Sequence, residues 1–286
     1  MKNKALYTLL IILVQSLHTT ALNAQHSTPT EQINPYRIVE RCTLHGISLL
    51  NNLDTYLSGY NYTGAGYYFN HENLRNAHTG NYNWKYLTTF SATLGYTKQQ
   101  SNSQFTLLAS RYWSGYHPFR VSNRLQLWTG AQIQLAGGAL YVPANGNNMV
   151  SVKMRTALAA TGIAIYRLPV RQHTIDLRYR IDIPLAGIMF SPEFGQSYYE
   201  IFGLGNTHGV IKFAHPLNSP SWQHTLSADI PIGNNTLRIA YTANLYQSKV
   251  NSLRTHIYNH SFAIGFAKTI YKIKRKDSMK AYSPLL

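Results

Sequence analysis

Charge is scarce in this sequence. Of its 286 residues, 13% are charged, against about 25% in soluble globular domains. The deficit falls on acid: 10 Asp and Glu stand against 26 Lys and Arg, for a formal charge of +16. Long apolar runs are missing as well. Past the first twenty residues nothing approaches the roughly 18 consecutive apolar residues of a spanning helix, which excludes a helical membrane bundle. Cys42 is the single cysteine, so no intramolecular disulfide forms and no thiolate zinc site can be assembled. It also lies too far in to be a lipidated N-terminus, which leaves it for the core or a barrel wall. There is no His-Glu-x-x-His, and Gly203-Leu204-Gly205-Asn206-Thr207-His208-Gly209 has the wrong spacing for a phosphate loop and no βαβ context. No nucleic-acid-binding module is recognisable despite the basic balance, so nucleic acid is not an expected partner. Aromatic residues are plentiful: 4 Trp, 22 Tyr and 10 Phe are too much apolar surface for a disordered chain.

The N-terminus carries Lys2 and Lys4, an apolar run from Ala5 to Val14 and Ala21-Leu22-Asn23-Ala24-Gln25. This is the layout of a cleaved export signal, with the cut expected after Ala24. Residues 25–35, with Pro29 and Pro35, read as a leader. From there the pattern has period two. Phe90, Ala92, Leu94 and Tyr96 alternate with Thr89, Ser91, Thr93 and Gly95. Leu125, Leu127, Ala131, Ile133 and Leu135 oppose Gln126, Trp128, Gln132 and Gln134, and Ile175, Leu177, Tyr179, Ile181 and Ile183 oppose Thr174, Asp176, Arg178, Arg180 and Asp182. Leu237, Ile239 and Tyr241 oppose Arg238 and Thr242.

Two all-β answers fit, a secreted sandwich and an outer-membrane barrel. Sandwich strands are usually about 5–6 residues long. Stretches 123–141 and 149–167 are far longer, while membrane strands need about 9–11 residues and often overshoot the bilayer. The expected fold is therefore an all-β antiparallel transmembrane barrel over 36–271, exported to a bacterial outer membrane. A basic tail at 272–286 would be solvated. Candidate strands lie near 36–47, 58–73, 82–97, 103–115, 123–141, 149–167, 172–183, 206–214, 221–231, 235–247 and 255–271. Eleven is odd and such barrels are even-numbered, so about twelve strands are expected, with ten possible. Trp84, Tyr86, Trp113, Tyr141, Tyr166, Tyr246 and Tyr271 are candidates for interfacial aromatic girdles.

Lys153, Arg155, Asp176, Arg178, Arg180, Asp182 and Arg238 are the candidate lumen charge network. Paired with one another and with Glu193 and Glu200 they would neutralise and close the lumen; unpaired, the cations would bias a pore toward anions. The segment 190–203, with Glu193, Gln196, Tyr198, Tyr199 and Glu200, breaks the alternation and reads as a short irregular or helical piece in the lumen or at the rim. Rim cations suit lipopolysaccharide phosphates, and barrel-assembly machinery is an expected partner during biogenesis. No catalytic residue, metal site or cofactor is expected. Asp176 and Asp182 share a face but are about 20 Å apart along a strand, too far for a carboxylate pair.

At Pro184-Leu185-Ala186-Gly187 and Phe190-Ser191-Pro192-Glu193-Phe194-Gly195-Gln196-Ser197-Tyr198-Tyr199-Glu200-Ile201-Phe202 the sequence resembles an uncharacterised Bacteroidetes outer-membrane barrel family, catalogued only as a domain of unknown function. Asp54-Thr55-Tyr56-Leu57-Ser58 with Tyr62-Thr63-Gly64, and Asn145-Gly146-Asn147-Asn148, resemble its other landmarks. The resemblance implies an exported barrel and no reaction. The chain departs from many such barrels in its end: Tyr271 is followed by Lys272-Ile273-Lys274-Arg275-Lys276 instead of closing on an aromatic. The function expected is a non-catalytic barrel with a polar, partly plugged lumen, in a structural or surface-interaction role or as a narrow channel. The alternatives are a diffusion channel for small polar or anionic solutes and a lipid-modifying enzyme at the membrane rim.

Overall fold

In the computed structural model, residues 36–79, 82–146, 148–170, 173–233 and 235–273 are described. The expected export signal at 1–24, the expected leader at 25–35 and nearly all of the expected 272–286 tail lie outside them. The strands are β1 (Tyr36–Asp54), β2 (Ser58–Thr79), β3 (Tyr82–Gln99), β4 (Asn102–Arg120), β5 (Leu125–Tyr141), β6 (Val150–Val170), β7 (His173–Phe190), β8 (Ile211–Ala214), β9 (Ser221–Ile232), β10 (Asn235–Val250) and β11 (Leu253–Ile273). All but β8 make an antiparallel meander that closes through β1 on β11, in register from Tyr36↔Ile273 to Asp54↔Thr255. Closure pairs every strand of the ring on both sides, apart from residues 183–186 of β7 between the β9 and β8 ladders; such closure is what lets a β-structure sit in lipid.

The closed antiparallel barrel expected from the alternation is what forms, and its strand count is ten, the lower of the two expected numbers. The reason lies beside β7. β8 pairs with Gly187–Phe190 and β9 with Asp176–Asp182, on the same edge. They are two pieces of one wall position, parted by residues 215–220. Pro216 and Pro220 fall in that excursion, and neither can donate to a ladder. The segment 190–205 adds a loop with one helical turn, not a twelfth strand.

The barrel is apolar outside and polar within. Ile47, Leu94, Leu226, Phe262 and Ile264 are more than half exposed, whereas their chain neighbours Ser48, Thr93, Ser227 and Ser261 are buried. Inward groups satisfy one another across strands: Asn52 Nδ2 donates to Gln104 Oε1 and Thr106 Oγ1 at 3.0 and 2.9 Å, and Asn259 Nδ2 to Thr93 Oγ1 at 3.0 Å. Tyr60, Tyr96, Phe105 and Tyr141 stand exposed near the strand ends on one side of the barrel, Tyr86, Phe119 and Tyr166 near the other. Of the girdle candidates, Tyr246 is turned the other way. Ile239 and Tyr241 put the odd residues of β10 outside, so Tyr246 faces the lumen, 4.6 Å beneath the Arg155 guanidinium.

Long connections gather at one end. There β5 and β6 are joined by 142–149 and β7 and β8 by 191–210, beside tight hairpins at 55–57, 100–101 and 251–252, whereas every connection at the opposite end spans four residues or fewer. Asn251 and Ser252 both have positive φ (53° and 61°), the two-residue turn whose twist matches antiparallel strands. This is the loop end; the end holding Tyr36 and Ile273 is the terminal end.

Candidate functional site

The lumen is built in three layers. Toward the terminal end an ion-pair network crosses it. Arg238 on β10 donates to Asp229 Oδ1 of β9 at 2.5 Å, to Glu72 Oε2 of β2 at 2.9 Å and to Glu40 Oε1 of β1 at 2.8 Å. On β7, Arg178 meets Asp229 at 2.8 Å and Glu40 at 3.4 Å. Arg180 meets Glu72 at 3.0 Å and Asp182 at 3.2 Å. Each arginine thus bridges two or three carboxylates, a geometry its planar fork suits. Thr161 donates to Asp182, and Tyr116 Oη meets Thr161 Oγ1 at 3.0 Å. Those bonds tie the ionic half to an apolar half of Leu87, Tyr116, Trp128, Ile163 and Ile165. Together the halves form a floor.

Above the floor is a chamber of about 90 Å³, bounded in part by Thr93, Ser110, Tyr112, Gln223, Asn259 and Ser261. Above that, Tyr56, Leu57, Tyr62, Leu140, Val142, Leu253 and Ile257 pack into a lid, with Tyr198 and Tyr246 against it. Beneath it Lys153 pairs with the buried Asp54 at 2.7 Å.

The 191–210 loop lies on this lid. Asn251 Nδ2 fastens its base, donating to Ser191 O at 2.7 Å and Gly209 O at 3.1 Å. Tyr56 Oη donates to Gln196 O at 2.9 Å, and Tyr198 Oη accepts from the Val152 N–H at 2.6 Å. Burial pushes the Tyr198 and Tyr56 hydroxyls above the ordinary phenol range. The turn Tyr199–Gly203 buries Ile201 and leaves Tyr199 and Phe202 exposed, so the segment is a rim cover and does not enter the lumen. Ser197 and Glu200 cap it reciprocally. The Ser197 N–H and hydroxyl donate to Glu200 Oε2 at 2.6 and 2.9 Å, and the Glu200 N–H donates to Ser197 Oγ at 3.2 Å, as in a capping box.

Those bonds hold the Glu200 carboxyl below its ordinary range. A depressed carboxyl stabilises the fold above its unfolded value, and that contribution disappears as pH falls through the folded value. Protection of the Ser197 and Ile201 amides, taken relative to their intrinsic exchange rates, is therefore expected to fall below the ordinary carboxylate range, and Glu200→Gln to abolish that pH dependence. Protection that stays flat with pH would refute the cap's role.

The predicted network residues are dispersed among the layers. Arg178, Arg180, Asp182 and Arg238 come together in the floor. Asp176 lies below it, 3.9 Å from Arg167, in a polar vestibule of about 270 Å³. Lys153 is under the lid. Arg155 stands in the chamber, where Ser221 Oγ accepts from it at 3.3 Å. Glu193 and Glu200 do not neutralise the lumen as expected: both belong to the rim loop, where Glu200 serves the cap. The counter-charges are Glu40, Glu72, Asp229 and Asp54, which the sequence pattern did not single out. The available signal was parity, since each carboxylate falls in the inward-facing register of its strand.

Histidines on the outer face were equally hidden in the sequence. His45 Nδ1 lies 2.5 Å from Tyr67 Oη, His224 Nδ1 2.6 Å from Tyr179 Oη and His260 Nδ1 2.7 Å from Tyr241 Oη. His71 lies between Thr43 Oγ1 at 2.9 Å and Asn73 Nδ2 at 3.0 Å. These contacts join different strands or depend on register, which spacing along the chain does not reveal. Among the described residues no three His, Cys, Asp or Glu side chains are grouped to hold a metal ion. Cys42 is buried inside the barrel.

An apolar exterior on a closed ring, around an ion-paired interior, defines a transmembrane β-barrel. Within that class, the chain belongs to the family described as Protein of unknown function (DUF3316), whose profile matches residues 6–277. No functionally curated protein is detectably similar. Solved structures similar to the chain include the outer membrane protease OmpT from Escherichia coli, at 8% identity and a TM-score of 0.43, covering 85% of this chain and 100% of that one. The translocator domain of the autotransporter NalP from Neisseria meningitidis is similar at 12% identity and a TM-score of 0.36, covering 93% and 97%. An outer membrane channel from Pseudomonas putida F1 is similar at 7% identity and a TM-score of 0.39, covering 86% and 100%.

Proposed function

We propose that this protein is a bacterial outer-membrane barrel closed to through-flow, non-catalytic, and working through its loop end and lumen chamber. The floor carries this reading. Arginines from β7 and β10 and carboxylates from β1, β2, β7 and β9 close one half of the cross-section, and packed aromatic and aliphatic residues close the other. A channel needs a continuous water path, and both floor and lid interrupt one. The apolar exterior, its flanking aromatics and the export signal support the location. Exposed Lys98, Lys249 and Arg254 near the loop end suit the phosphates of lipopolysaccharide, and insertion by barrel-assembly machinery belongs to the same reading.

The test is planar-bilayer conductance of the refolded full chain, its folded state verified by heat-modifiable gel migration. No current steps are expected at either polarity. Steady openings would overturn the closed reading and, if anion-selective, install the diffusion channel with Lys153 and Arg155 as its cationic lining.

One arrangement favours a second reading, a lipid-modifying enzyme. Thr43, His71 and Asn73 form a hydroxyl–imidazole–amide chain on the outer face; with the Asn73 amide turned so that its oxygen accepts from the His71 Nε2–H, Nδ1 would be free to take the Thr43 proton, as the base of a nucleophilic hydrolase does. Phospholipid or lipid A hydrolysis that His71→Ala abolishes would establish it; turnover indifferent to His71 would dismiss it.

A further inference from the structure

We propose that the wall opens sideways between β7 and the β8–β9 edge, and that a single-chain amphiphile with an anionic head reaches the chamber there from the surrounding lipid. The proposal rests on the transmembrane reading and not on the closed floor.

The ladder itself is broken at this place. β9 leaves β7 at Asp182↔Gln223, and β8 takes over at Gly187↔Ala214. Ile183, Pro184, Leu185 and Ala186 have no strand partner on that edge, a gap of roughly 13 Å at ~3.3 Å per residue. Pro184 has no N–H to offer, and on its other edge β7 is bulged against Leu158/Ala159. The excursion that fills the gap is tied to β10, not to β7: the Gln247 N–H donates to Pro220 O at 3.1 Å and the Lys249 N–H to Asn218 O at 2.8 Å. β7 can therefore part from the excursion here without breaking a ladder bond.

A crevice of about 10 Å³ already runs into the gap, lined by Arg155, Ala157, Pro184, Leu185, His215 and Ser219. That is room for about one water, so this is the portal shut. Its two ends face different surroundings. Leu185 is outward and half exposed; Arg155 is inward and also lines the chamber. Arg155 thus borders both the crevice and the chamber.

Its charge gives the ligand's chemistry. Arg178, Arg180, Arg238 and Lys153 each hold a carboxylate within 3.5 Å. Arg155 has none within ion-pair distance among the described residues; a serine hydroxyl and the face of Tyr246 are its partners. A guanidinium in that condition suits a carboxylate or phosphate monoester, which it can bind through two parallel hydrogen bonds. The lipid-side approach is apolar: Ile188 and Phe213 are more than half exposed, and Leu217, on the excursion, is 91% exposed. The head group and first methylenes would occupy the chamber, with the remaining chain in the portal and the lipid.

The test uses the refolded full chain in micelles with three brominated ligands of one chain length: a fatty acid, a lysophosphatidate and an uncharged monoacylglycerol. Phe190 lines the chamber, so in a background with Trp84, Trp113 and Trp222 replaced by Phe, which removes the native indoles not buried in the lumen, Phe190→Trp adds an indole that bromine quenches on contact. Quenching of this added indole by at least one anionic ligand is expected, and Arg155→Gln in the same background should weaken it about tenfold, the loss of one charge-assisted contact. The more potent of the two acids identifies carboxylate or phosphate as the natural head group. Ser219→Leu, which fills the crevice without adding a second indole, should slow the quenching. Equal quenching by the uncharged ligand, or quenching indifferent to Arg155, would overturn the proposal. Should Phe190→Trp not fold, native mass spectrometry of the otherwise unaltered chain against Arg155→Gln decides the matter through bound stoichiometry. A chain that does not insert into vesicles would defeat the transmembrane reading; an inserted chain without head-group-dependent binding would defeat the portal alone.

Discussion

Arg238→Leu is expected to destabilise the folded barrel by about 3–5 kcal/mol, because removing one member of a buried ionic group leaves its partners charged and unpaired. Arg238 is 3% exposed and is the junction of the floor, touching Asp229, Glu72 and Glu40 at once. The measurement is equilibrium guanidinium unfolding in vesicles, followed by tryptophan emission. A companion variant separates charge from packing. Arg238→Met with Asp229→Leu removes a cation and an anion together and leaves Glu40 to Arg178 and Glu72 to Arg180. It should recover most of the loss, since replacing a buried pair by apolar groups of similar volume is often neutral. With the single variants Arg238→Met and Asp229→Leu measured alongside, the departure from additivity gives the coupling between these two cross-strand neighbours. If the single variant costs under about 1 kcal/mol, the range of exposed ion pairs, water reaches the network freely and the floor is not a seal.

How much of this architecture could be read along the chain follows from the range of the forces involved. Alternation is local, so the inward and outward faces of 174–183 and 124–135 were legible, as was an all-β barrel built from them. The strand count depends on which stretches share a wall position. Residues 206–214 and 221–231 look like two strands in sequence, and only their common edge on β7 shows them to be one interrupted strand. The cations of the floor were conspicuous because Arg178 and Arg180 sit together on the charged face of a strand whose other face, from Ile175 to Ile183, is apolar. Their partners Glu40 and Glu72 lie more than a hundred residues away, joined by the β1–β11 closure and the stagger of the ring. No spacing rule connects Glu72 to Arg238, 166 residues apart. Nor could parity tell Arg155 from Lys153: both face inward from β6, yet Asp54 reaches one and no described carboxylate reaches the other.

Ile47→Arg should cost about 2–4 kcal/mol in a bilayer, the penalty of an arginine at the midplane of a lipid-facing barrel wall. Ile47 is 63% exposed and lies midway along β1. In a water-soluble protein an arginine there would change stability by about 0.5 kcal/mol or less. The same substitution thus has different consequences according to what surrounds the barrel. Depth supplies the control: Phe105, also outward but near the loop-end limit of β4, should accept arginine at a cost of about 0–1 kcal/mol. Unfolding of both variants in vesicles measures the gradient. Equal, small effects at the two positions would mean that this face meets water, and the inside-out polarity of the chain would need a different partner from lipid. A steep difference would place the hydrocarbon core at the level of Ile47. Because His45 and Tyr67 neighbour Ile47 on the same face, it would also explain why each outward histidine there is hydrogen-bonded: an unsatisfied imidazole in hydrocarbon costs several kcal/mol, roughly the loss of a full hydrogen bond to water.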